Sequence, residues 1–580
     1  MTSETIYTAI SFAPVQGFIE KSRKLRDLYG ASLILSYLSQ KIVEKAEEGS
    51  VISPGLIDHQ EGMPNRILVK GELSREVVEK ALLGEWRKIL RICREWVEDN
   101  IGISKNEYRY WSGEWERWGS YTWEIFIGWG RPDPKDPKKK LIQAAMEDLE
   151  TRKLKRDWTA INWVGESSSL SGTDAIVWHG LGQELDPITL LNKDEKRRLS
   201  KDEQQKLTES RKQQFKGEME LFYYRLAWRL DNPDRKVLPP FPNLEKLKEH
   251  ERKSEETQDD FGKYISPNER LSIPELVKRL VTYEAIAEDI GMLWLEEGFT
   301  EIARMPKKGL DKGRWTGWFI GDGDEIGKKL KGLAASNDED KLQEFSTSMR
   351  NWGIDFKNQF SESLGRIIYA GGDDFLGVLY SDKKRPPLEA SAALQWLLKL
   401  PDQWKDLKAQ FRDNLNIEMS YSVGFVWAGH SVPQRDVLQH CREAEKRSKS
   451  LGRDRVTIRV LFNSGQYVQW TCPWSYLDIL SKYRDRNHQD KSGPLEDQNW
   501  THIYNDWAKL KARHAIRLND RSDQVDDRIA LEIFKLYFND MERFEDYTQE
   551  IFKKEEYTPK AVIEWLDGLV NVGWQLCSNS

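Results

Sequence analysis

Two glycine-containing turns place acidic residues where metal chemistry is possible. Asp322 and Asp324 follow an apolar segment, and the tetrapeptide Gly-Gly-Asp-Asp at 371–374 separates two short apolar segments. The alternation of Ile, Tyr, Leu and Val around this tetrapeptide predicts a β-hairpin with adjacent carboxylates at its tip. Carboxylates held on a rigid turn suit Mg²⁺, which keeps its other positions for water and substrate phosphate. Taken alone, each turn is equally compatible with a solvated acidic turn, because Asp and Gly are common in turns.

The predicted elements around these turns bring the carboxylates together. Residues 315–320 form a predicted strand, and its antiparallel pairing with one strand of the hairpin places Asp322 beside Asp373 and Asp374. Three or four carboxylates at adjacent strand ends predict a two-metal site. In such a site one ion lowers the pKa of an attacking hydroxyl, and the other stabilises charge on the leaving phosphate oxygens. The alternative interpretation is an acidic structural turn.

Two further segments predict binding of a triphosphate. The turn at 321–327 leads into a helix that starts near Lys328, so its backbone N–H groups and the helix dipole could hold phosphates. Residues 444–456 contain a helix end, a glycine turn and a strand, which brings Lys449 and Arg453 near the same phosphates. Because a lysine on a helix is usually a solvated surface charge, Lys449 alone does not establish a ligand contact.

The order of the predicted elements is that of an α+β protein. Strands at 5–12, 64–70 and 121–129 alternate with long helices at 17–46 and 74–100, which predicts helices on one face of an antiparallel sheet. After a polar, mainly helical region, the chain from residue 315 has the element order of a ferredoxin-like palm with an added helix and strand. The predicted domains are a first palm-like domain at 1–150, an intervening helical domain at 151–312, a second palm at 313–465 and a C-terminal helical bundle at 466–580.

Besides the strand at 315–320 and the helix that starts near Lys328, six further segments predict the second palm. A helix at 344–364 precedes the hairpin, and a strand at 419–427 follows the next helix. A helix at 433–450 and a last strand at 456–461 complete the pattern, and the chain beyond Trp470 is predicted to be helical.

The composition limits the classes of protein to which the chain can belong. A length of 580 residues is too long for one core, and 39% hydrophobic with 32% charged residues is typical of folded, well-solvated domains. The four cysteines show no CxxC spacing, so neither a disulfide framework nor a zinc knuckle is indicated. Without a long apolar run or a signal peptide, we expect a cytoplasmic protein that has no membrane partner. A net charge of −6 does not by itself indicate a nucleic-acid binder.

The motifs together resemble those of a known family. Asp322-x-Asp324, the tetrapeptide at 371–374 and residues 444–456 resemble the metal, glycine-turn and triphosphate-lysine motifs of diguanylate-cyclase-type palms. Four further segments resemble, more specifically, the large polymerase/cyclase subunit of type III CRISPR effector complexes, closest to its III-B form. These segments are 11–32, 64–66, 268–271 and 420–429. The C-terminal helical tail resembles the family only in its helical character.

The resemblance implies two nucleotidyl cyclase palms that face each other across an ATP site. The family makes cyclic oligoadenylates once its complex, guided by CRISPR RNA, has bound target RNA. In the implied reaction the 3′-hydroxyl of one ATP attacks the α-phosphorus of another, and pyrophosphate leaves. The implied partners are therefore the other subunits of the complex, CRISPR RNA, target RNA and ATP.

The same resemblance assigns roles to individual residues. Asp322 and Asp373 would bind two Mg²⁺ or Mn²⁺ ions, with the Gly323 carbonyl as a further ligand. Asp374 would assist the metals or the 3′-hydroxyl, which makes Asp373 and Asp374 the catalytic candidates. The implied nucleotide-binding residues are Asp324, Glu325, Ile326, Gly327, Gly371, Gly372, Lys449 and Arg453.

The sequence departs from the family in two respects. Many members begin with an HD nuclease domain, but no His-Asp pair occurs in this sequence, so we expect no DNA cleavage by this chain. Serines at 165–172 stand where family members often have zinc-binding cysteines. Serine does not replace thiolate as a zinc ligand, so we expect no structural zinc.

Two other functions are compatible with the sequence. The chain could be a catalytically silent scaffold that anchors partner subunits, guide RNA and target RNA, or a stand-alone dinucleotide cyclase or polymerase. The retention of Asp322, Asp373, Asp374 and Lys449 favours an enzyme over a scaffold, because neighbouring buried carboxylates repel each other without metal. The two-palm layout and the helical tail argue against a stand-alone enzyme.

Overall fold

The computed structural model divides the chain into two compact units. Met1–Val51 and Ile57–Glu301 form the first unit, and Ile52–Leu56 and Ile302–Ser580 form the second. The structure describes residues 5–57, 61–102, 111–136, 138–155, 162–163, 165–181, 198–232, 242–257, 262, 264–295, 299, 301–302, 304, 306, 313–382, 385–485, 499–518 and 524–578.

The first sheet has four strands in the order β2-β3-β1-β4. Its strands are β1 (Tyr7–Ala13), β2 (Val51–Ser53), β3 (Arg66–Lys70) and β4 (Glu124–Gly130). The central strand β1 pairs antiparallel with β3 and β4, and its first six residues are buried. The helices of this part of the chain are α1 (Val15–Glu20), α2 (Leu25–Val43), α3 (Arg75–Ile101), α4 (Trp111–Tyr121) and α5 (Leu141–Leu154). The predicted antiparallel sheet with long helices is confirmed.

The prediction of one helix over 17–46 is wrong, because the chain breaks between α1 and α2. The Asp27 side chain accepts hydrogen bonds from the backbone N–H groups of Arg23, at 2.7 Å, and Lys24, at 2.9 Å. A side chain that binds nearby backbone donors offers them an alternative to helix hydrogen bonds, so a new helix starts here. The strand β2 and the helix α4 were not predicted, and Trp111 and Trp115 of α4 are buried core residues.

The remaining helices of the first unit are α6 (Lys201–Asp231), α7 (Leu244–Thr257), α8 (Ile273–Leu280) and α9 (Glu284–Ile290). The predicted helical character of this region is thus confirmed for the described residues. Apolar residues recur with a helical period over 271–295, and the structure divides this segment between α8 and α9. Gly291 ends α9 in the left-handed conformation that favours glycine, with φ of 80°.

The second sheet has six strands in the order β10-β9-β8-β5-β7-β6. Its strands are β5 (Thr316–Gly323), β6 (Gly365–Gly371), β7 (Asp374–Leu379), β8 (Tyr421–Ala428), β9 (Arg455–Leu461) and β10 (Tyr467–Pro473). Strand β5 pairs antiparallel with β7 and β8, and β8 pairs parallel with β9. The accompanying helices are α10 (Ile326–Ser336), α11 (Glu339–Asn358), α12 (Ala390–Lys399), α13 (Lys405–Gln410) and α14 (Gln434–Ser450). The predicted palm order and the α+β class are confirmed.

Two details of the second unit differ from the prediction. The helix predicted at 344–364 is α11, which starts earlier because the Asp338 side chain caps it by accepting from the Lys341 N–H at 3.1 Å. The segment after residue 465 starts with a strand, not a helix. Gly465, with φ of 82°, allows the chain to turn so that β10 pairs antiparallel with β9.

The C-terminal segment is helical, as predicted, and lies in the same compact unit as the second sheet. Its helices are α15 (Thr501–Ala512), α16 (Gln524–Phe538), α17 (Met541–Ile551) and α18 (Pro559–Cys577). The Trp565 indole of α18 donates to the Thr471 carbonyl of β10 at 3.0 Å, which fixes this helix against the sheet. None of the helices in the described part of the chain combines the length and apolar character needed to cross a bilayer.

Candidate functional site

Three carboxylates converge at the ends of two paired strands in the second unit. Asp322 of β5 lies directly opposite Asp374 of β7 in the antiparallel register. Asp373 lies in the two-residue turn between β6 and β7, next to Gly372, whose φ of 66° is in the left-handed region. One carboxylate oxygen from each of the three residues lies within 4.8 Å of the others. We call Asp322, Asp373 and Asp374 the acidic cluster.

A well-packed aromatic core holds the two strands that carry the acidic cluster. Trp318 and Phe319 of β5 and Phe375 of β7 are fully buried. The Phe375 ring centroid lies 5.6 Å from that of Trp352 and 5.4 Å from that of Phe356, both on α11. The Gly323 N–H also donates to the Asp373 carbonyl at 3.0 Å. This packing makes the strand ends a rigid platform for the carboxylates.

Lys449, near the end of α14, contacts the acidic cluster. Its Nζ donates to Asp322 Oδ2 and lies 2.5 Å from Glu445 Oε1 on the same helix. Burial lowers the pKa of Lys449, but the negative charges of Asp322 and Glu445 outweigh burial and raise this pKa above its usual value. Burial raises the pKa of Glu445, although the charge of Lys449 opposes that shift. Lys449 therefore keeps its positive charge beside the cluster.

The charges of the acidic cluster disfavour full ionisation. Although Asp374 is exposed as a residue, desolvation of its carboxyl group raises its pKa well above the usual range. A hydrogen bond to Asp322 and the negative charges of Asp373 and Asp322 raise this pKa further, whereas Lys449 lowers it. Like charges this close are the electrostatic condition that a bound divalent cation relieves.

Asp324 does not join the acidic cluster. It is 2% exposed, and both of its carboxylate oxygens accept hydrogen bonds from other parts of the fold. Oδ1 accepts from Ser422 Oγ at 2.6 Å, and Oδ2 accepts from Ser420 Oγ at 2.7 Å and from the Asp454 N–H at 3.0 Å. Asp324 therefore ties the end of β5 to the start of β8 and to the turn before β9.

The start of α10 lies next to Asp324 and carries several of the predicted nucleotide-binding residues. Glu325 is the N-cap residue of α10, with φ of 58°, and Ile326 and Gly327 form the first turn. Arg453 Nη2 lies 3.7 Å from Glu325 Oε1, and Lys329 Nζ donates to the Asp324 carbonyl at 2.7 Å. A helix N-terminus with cations beside it provides N–H donors and positive charge for phosphate oxygens.

Four residues of this region were not predicted from the sequence to take part in the site. Glu445 pairs with Lys449, Lys329 lies at the start of α10, and Ser420 and Ser422 bind Asp324. The spacing of four residues between Glu445 and Lys449 on one helix was a usable signal. The two serines carry no comparable signal, because only the register of β8 beside β5 brings them to Asp324.

Two segments of the chain match family models. Residues 316–457, which include the acidic cluster and Lys449, match the model described as Cas10/Cmr2, second palm domain. Residues 7–63 match the model described as CRISPR-associated protein Cmr2, N-terminal. Over these residues the matches confirm the resemblance that the sequence motifs indicated. No curated protein sequence matches the chain.

Several solved structures resemble the whole chain at low identity. A Csm1-Csm4 cassette in complex with cA4 has a TM-score of 0.42 and 14% identity, covering 98% of this chain and 70% of that chain. A Csm1-Csm4 subcomplex of the type III-A CRISPR-Csm interference complex has a TM-score of 0.44 and 13% identity, with coverage of 98% and 70%. The apo state of a type III-B Cmr-beta complex, solved by cryo-EM, has a TM-score of 0.45 and 11% identity, with coverage of 92% and 77%.

Proposed function

Taking the two Cas10/Cmr2 family matches as the premise, we propose that this chain is the large subunit of a type III CRISPR RNA-guided effector complex and that it synthesises cyclic oligoadenylates from ATP. The observation that carries the proposal is the convergence of Asp322, Asp373 and Asp374 at paired strand ends within the matched second palm. In the proposed reaction a 3′-hydroxyl forms a new bond to the α-phosphorus of a second ATP, and the bond to pyrophosphate breaks. Repetition and ring closure give the cyclic product.

The donor set of the acidic cluster fits a hard divalent cation. Asp322, Asp373 and Asp374 would hold Mg²⁺ or Mn²⁺, and the Gly323 carbonyl is a further candidate ligand. Two bound ions would supply activation of the 3′-hydroxyl and neutralisation of charge on the phosphates. The raised pKa of Asp374 is consistent with this assignment, because a cation at the cluster would relieve the same repulsion that raises it.

We assign the binding of the triphosphate to the cations around the cluster. Lys449 keeps its charge beside Asp322, and Lys329 and Arg453 lie at the N-terminus of α10. Together with the first N–H groups of α10 they would orient the leaving pyrophosphate. Positioning and charge neutralisation of this kind supply most of the rate enhancement in phosphoryl and nucleotidyl transfer.

The proposal also includes the complex in which the chain acts. We infer that the chain acts in the cytoplasm together with other type III subunits, CRISPR RNA and target RNA, and that target RNA switches synthesis on. The second candidate function is a silent scaffold with the same partners. The ion pair between Lys449 and Asp322 favours this alternative to a limited degree, because it offsets part of the charge of the cluster without metal.

The test is an assay with radiolabelled ATP and Mg²⁺ or Mn²⁺, with and without the assembled complex and matching target RNA. The variant Asp373→Ala/Asp374→Ala removes two cluster carboxylates, and Asp402→Ala/Asp406→Ala, at exposed positions of the same unit, is the matched control. We expect cyclic adenylates that require target RNA, persist in the control and disappear in the cluster variant. A complex that assembles on target RNA but makes no product with either metal would instead support the scaffold.

A further inference from the structure

A carboxylate of the chain itself occupies the N-terminus of α2 in the first unit. Glu301 Oε2 accepts a hydrogen bond from the Leu25 N–H at 2.9 Å, and Glu301 Oε1 accepts one from the Arg26 N–H at 3.2 Å. The first N–H groups of a helix lack partners within the helix and lie at the positive end of its dipole. Glu301 thus marks a position where this 19-residue helix holds an anion.

The Arg26 side chain at this position is buried and incompletely satisfied. Arg26 is 4% exposed, its Nη1 donates to Thr282 Oγ1 at 3.1 Å, and its guanidinium lies 4.0 Å from the Tyr264 ring centroid. Within the described part of the chain its Nε–H has no hydrogen-bond partner and lies 3.7 Å from Glu301 Oε1. A buried donor without a partner costs free energy. A tetrahedral anion has more oxygens than a carboxylate and could satisfy this donor.

The charges around the helix start favour a doubly charged anion. Among the residues that the structure describes, and apart from Glu301, four cations and two carboxylates lie around the α2 N-terminus, namely Arg23, Lys24, Arg26, Arg279, Asp27 and Glu269. Asp27 and Glu269 are each bound to Arg279 by hydrogen bonds of 2.6 Å. If Glu301 moved away, these six described groups, four cations and two carboxylates, would carry a net charge of +2. An anion with two negative charges would balance it.

Desolvation makes the ionised form of Glu301 unfavourable in this position. Although 22% of its side chain is exposed, desolvation of its carboxyl group raises the pKa of Glu301, and the charges of Arg26 and Lys24 only partly offset this shift. A ligand that brings its own charge and more acceptor atoms could therefore displace this side chain.

We propose that the N-terminus of α2 is a binding site for a phosphate group with two negative charges and that Glu301 is a competitor built into the chain. The ligand class is a terminal phosphate monoester, which both a nucleotide and the phosphorylated end of an RNA possess. The Leu25 and Arg26 N–H groups and the Arg26 Nε–H would bind its oxygens. This inference is independent of the proposed synthase activity, which rests on the acidic cluster in the other unit.

The test measures phosphate binding by the full chain in EDTA, so that no divalent cation loads the acidic cluster. The ligand is inorganic phosphate, followed by titration calorimetry, and the variants are Glu301→Ala and the isosteric Glu301→Gln. The matched control is Glu95→Ala, which removes an exposed carboxylate paired with Arg91 in the same unit. We expect Glu301→Ala to lower the Kd for phosphate about tenfold, equivalent to about 1.4 kcal/mol. Phosphate should also slow hydrogen exchange in the first turn of α2.

The second variant and two further ligands make the test more specific. Glu301→Gln keeps the size of the side chain but removes its charge, so it should also bind phosphate more tightly than the wild type. AMP and a short 5′-phosphorylated RNA, each compared with its unphosphorylated form, then identify the natural source of the phosphate. If both variants bind phosphate within twofold of the control and hydrogen exchange in α2 is unchanged, Glu301 is a fixed helix cap and the proposal is refuted.

Discussion

Replacement of Asp374 by Asn should stabilise the protein without metal. Asp374 lies opposite Asp322 in the strand register, and like charges directly opposite each other destabilise a sheet. The carboxylate oxygens of the cluster lie within 4.8 Å of each other. Two unit charges at that distance repel by about 3.5 kcal/mol at an effective dielectric constant near 20. Solvent exposure of Asp374 and the positive charge of Lys449 reduce the net gain that we expect for Asp374→Asn to about 1 kcal/mol.

The sign of the pH dependence follows from the raised pKa of Asp374. A folded-state pKa above the unfolded value means that the wild type loses stability as the pH rises from the unfolded pKa, about 3.9, through the folded one. Asn does not titrate in this range. The stability advantage of Asp374→Asn should therefore be absent below about pH 4 and should develop as the pH rises.

The assay is thermal unfolding of the wild type and Asp374→Asn in EDTA and in Mn²⁺. A ligand that binds the folded state at a hundred times its Kd stabilises it by about 2.7 kcal/mol, and loss of one ligand carboxylate should remove much of this gain. We expect a higher Tm for the variant in EDTA and a smaller rise in Mn²⁺. The exposed substitution Asp406→Asn serves as control. A variant that is less stable in EDTA, or that responds to Mn²⁺ as the wild type does, would refute the electrostatic account of the cluster.

Three further predictions follow from contacts in the two units. Lys449→Met should raise the KM for ATP at least about tenfold with the fold intact, because it removes the cation beside Asp322; an unchanged KM would contradict its role. Asp324→Asn should lower the free energy of unfolding by about 2 kcal/mol in urea titrations, since its Nδ2 cannot accept from the Asp454 N–H. Burial favours the neutral form of Glu269, but Arg279 and Lys24 lower its pKa to about 2 from 4.5. This shift stabilises the fold by about 3 kcal/mol. Glu269→Gln should lose this stability at neutral pH, and the difference from the wild type should shrink as the pH falls from about 4.5 towards 2.

The convergence of the cluster was predictable because each part has a local signal. The Gly-Gly-Asp-Asp tetrapeptide between alternating apolar residues defines the hairpin, and a strand that ends at Asp322 has a natural partner in it. The same reasoning failed where a tertiary partner decides the outcome. The sequence does not show that the carboxylate of Asp324, predicted to bind nucleotide, accepts hydrogen bonds from Ser420 and Ser422.

Some boundaries of helices and strands were not predicted, for similar reasons. Nothing in the apolar pattern at 17–46 shows that Asp27 binds the N–H groups of Arg23 and Lys24 and so interrupts the helix. Strand β10 was missed although Val468, Trp470 and Thr471 are residue types that favour strands. Its pairing with β9 depends on the turn at Gly465 and on the contact with α18.

The short segment Ile52–Leu56 matters for any attempt to express the two units as separate proteins. It belongs to the second unit, although the residues on both sides of it belong to the first. Its Gly55 N–H donates to Ser346 Oγ at 2.8 Å, and Arg350 Nη2 donates to the Leu56 carbonyl at 3.3 Å. A split between codons 301 and 302 would therefore yield two products that are both incomplete. The first would carry Gly55 and Leu56 without their hydrogen-bond partners Ser346 and Arg350, and the second would lack the segment Ile52–Leu56 from its own unit.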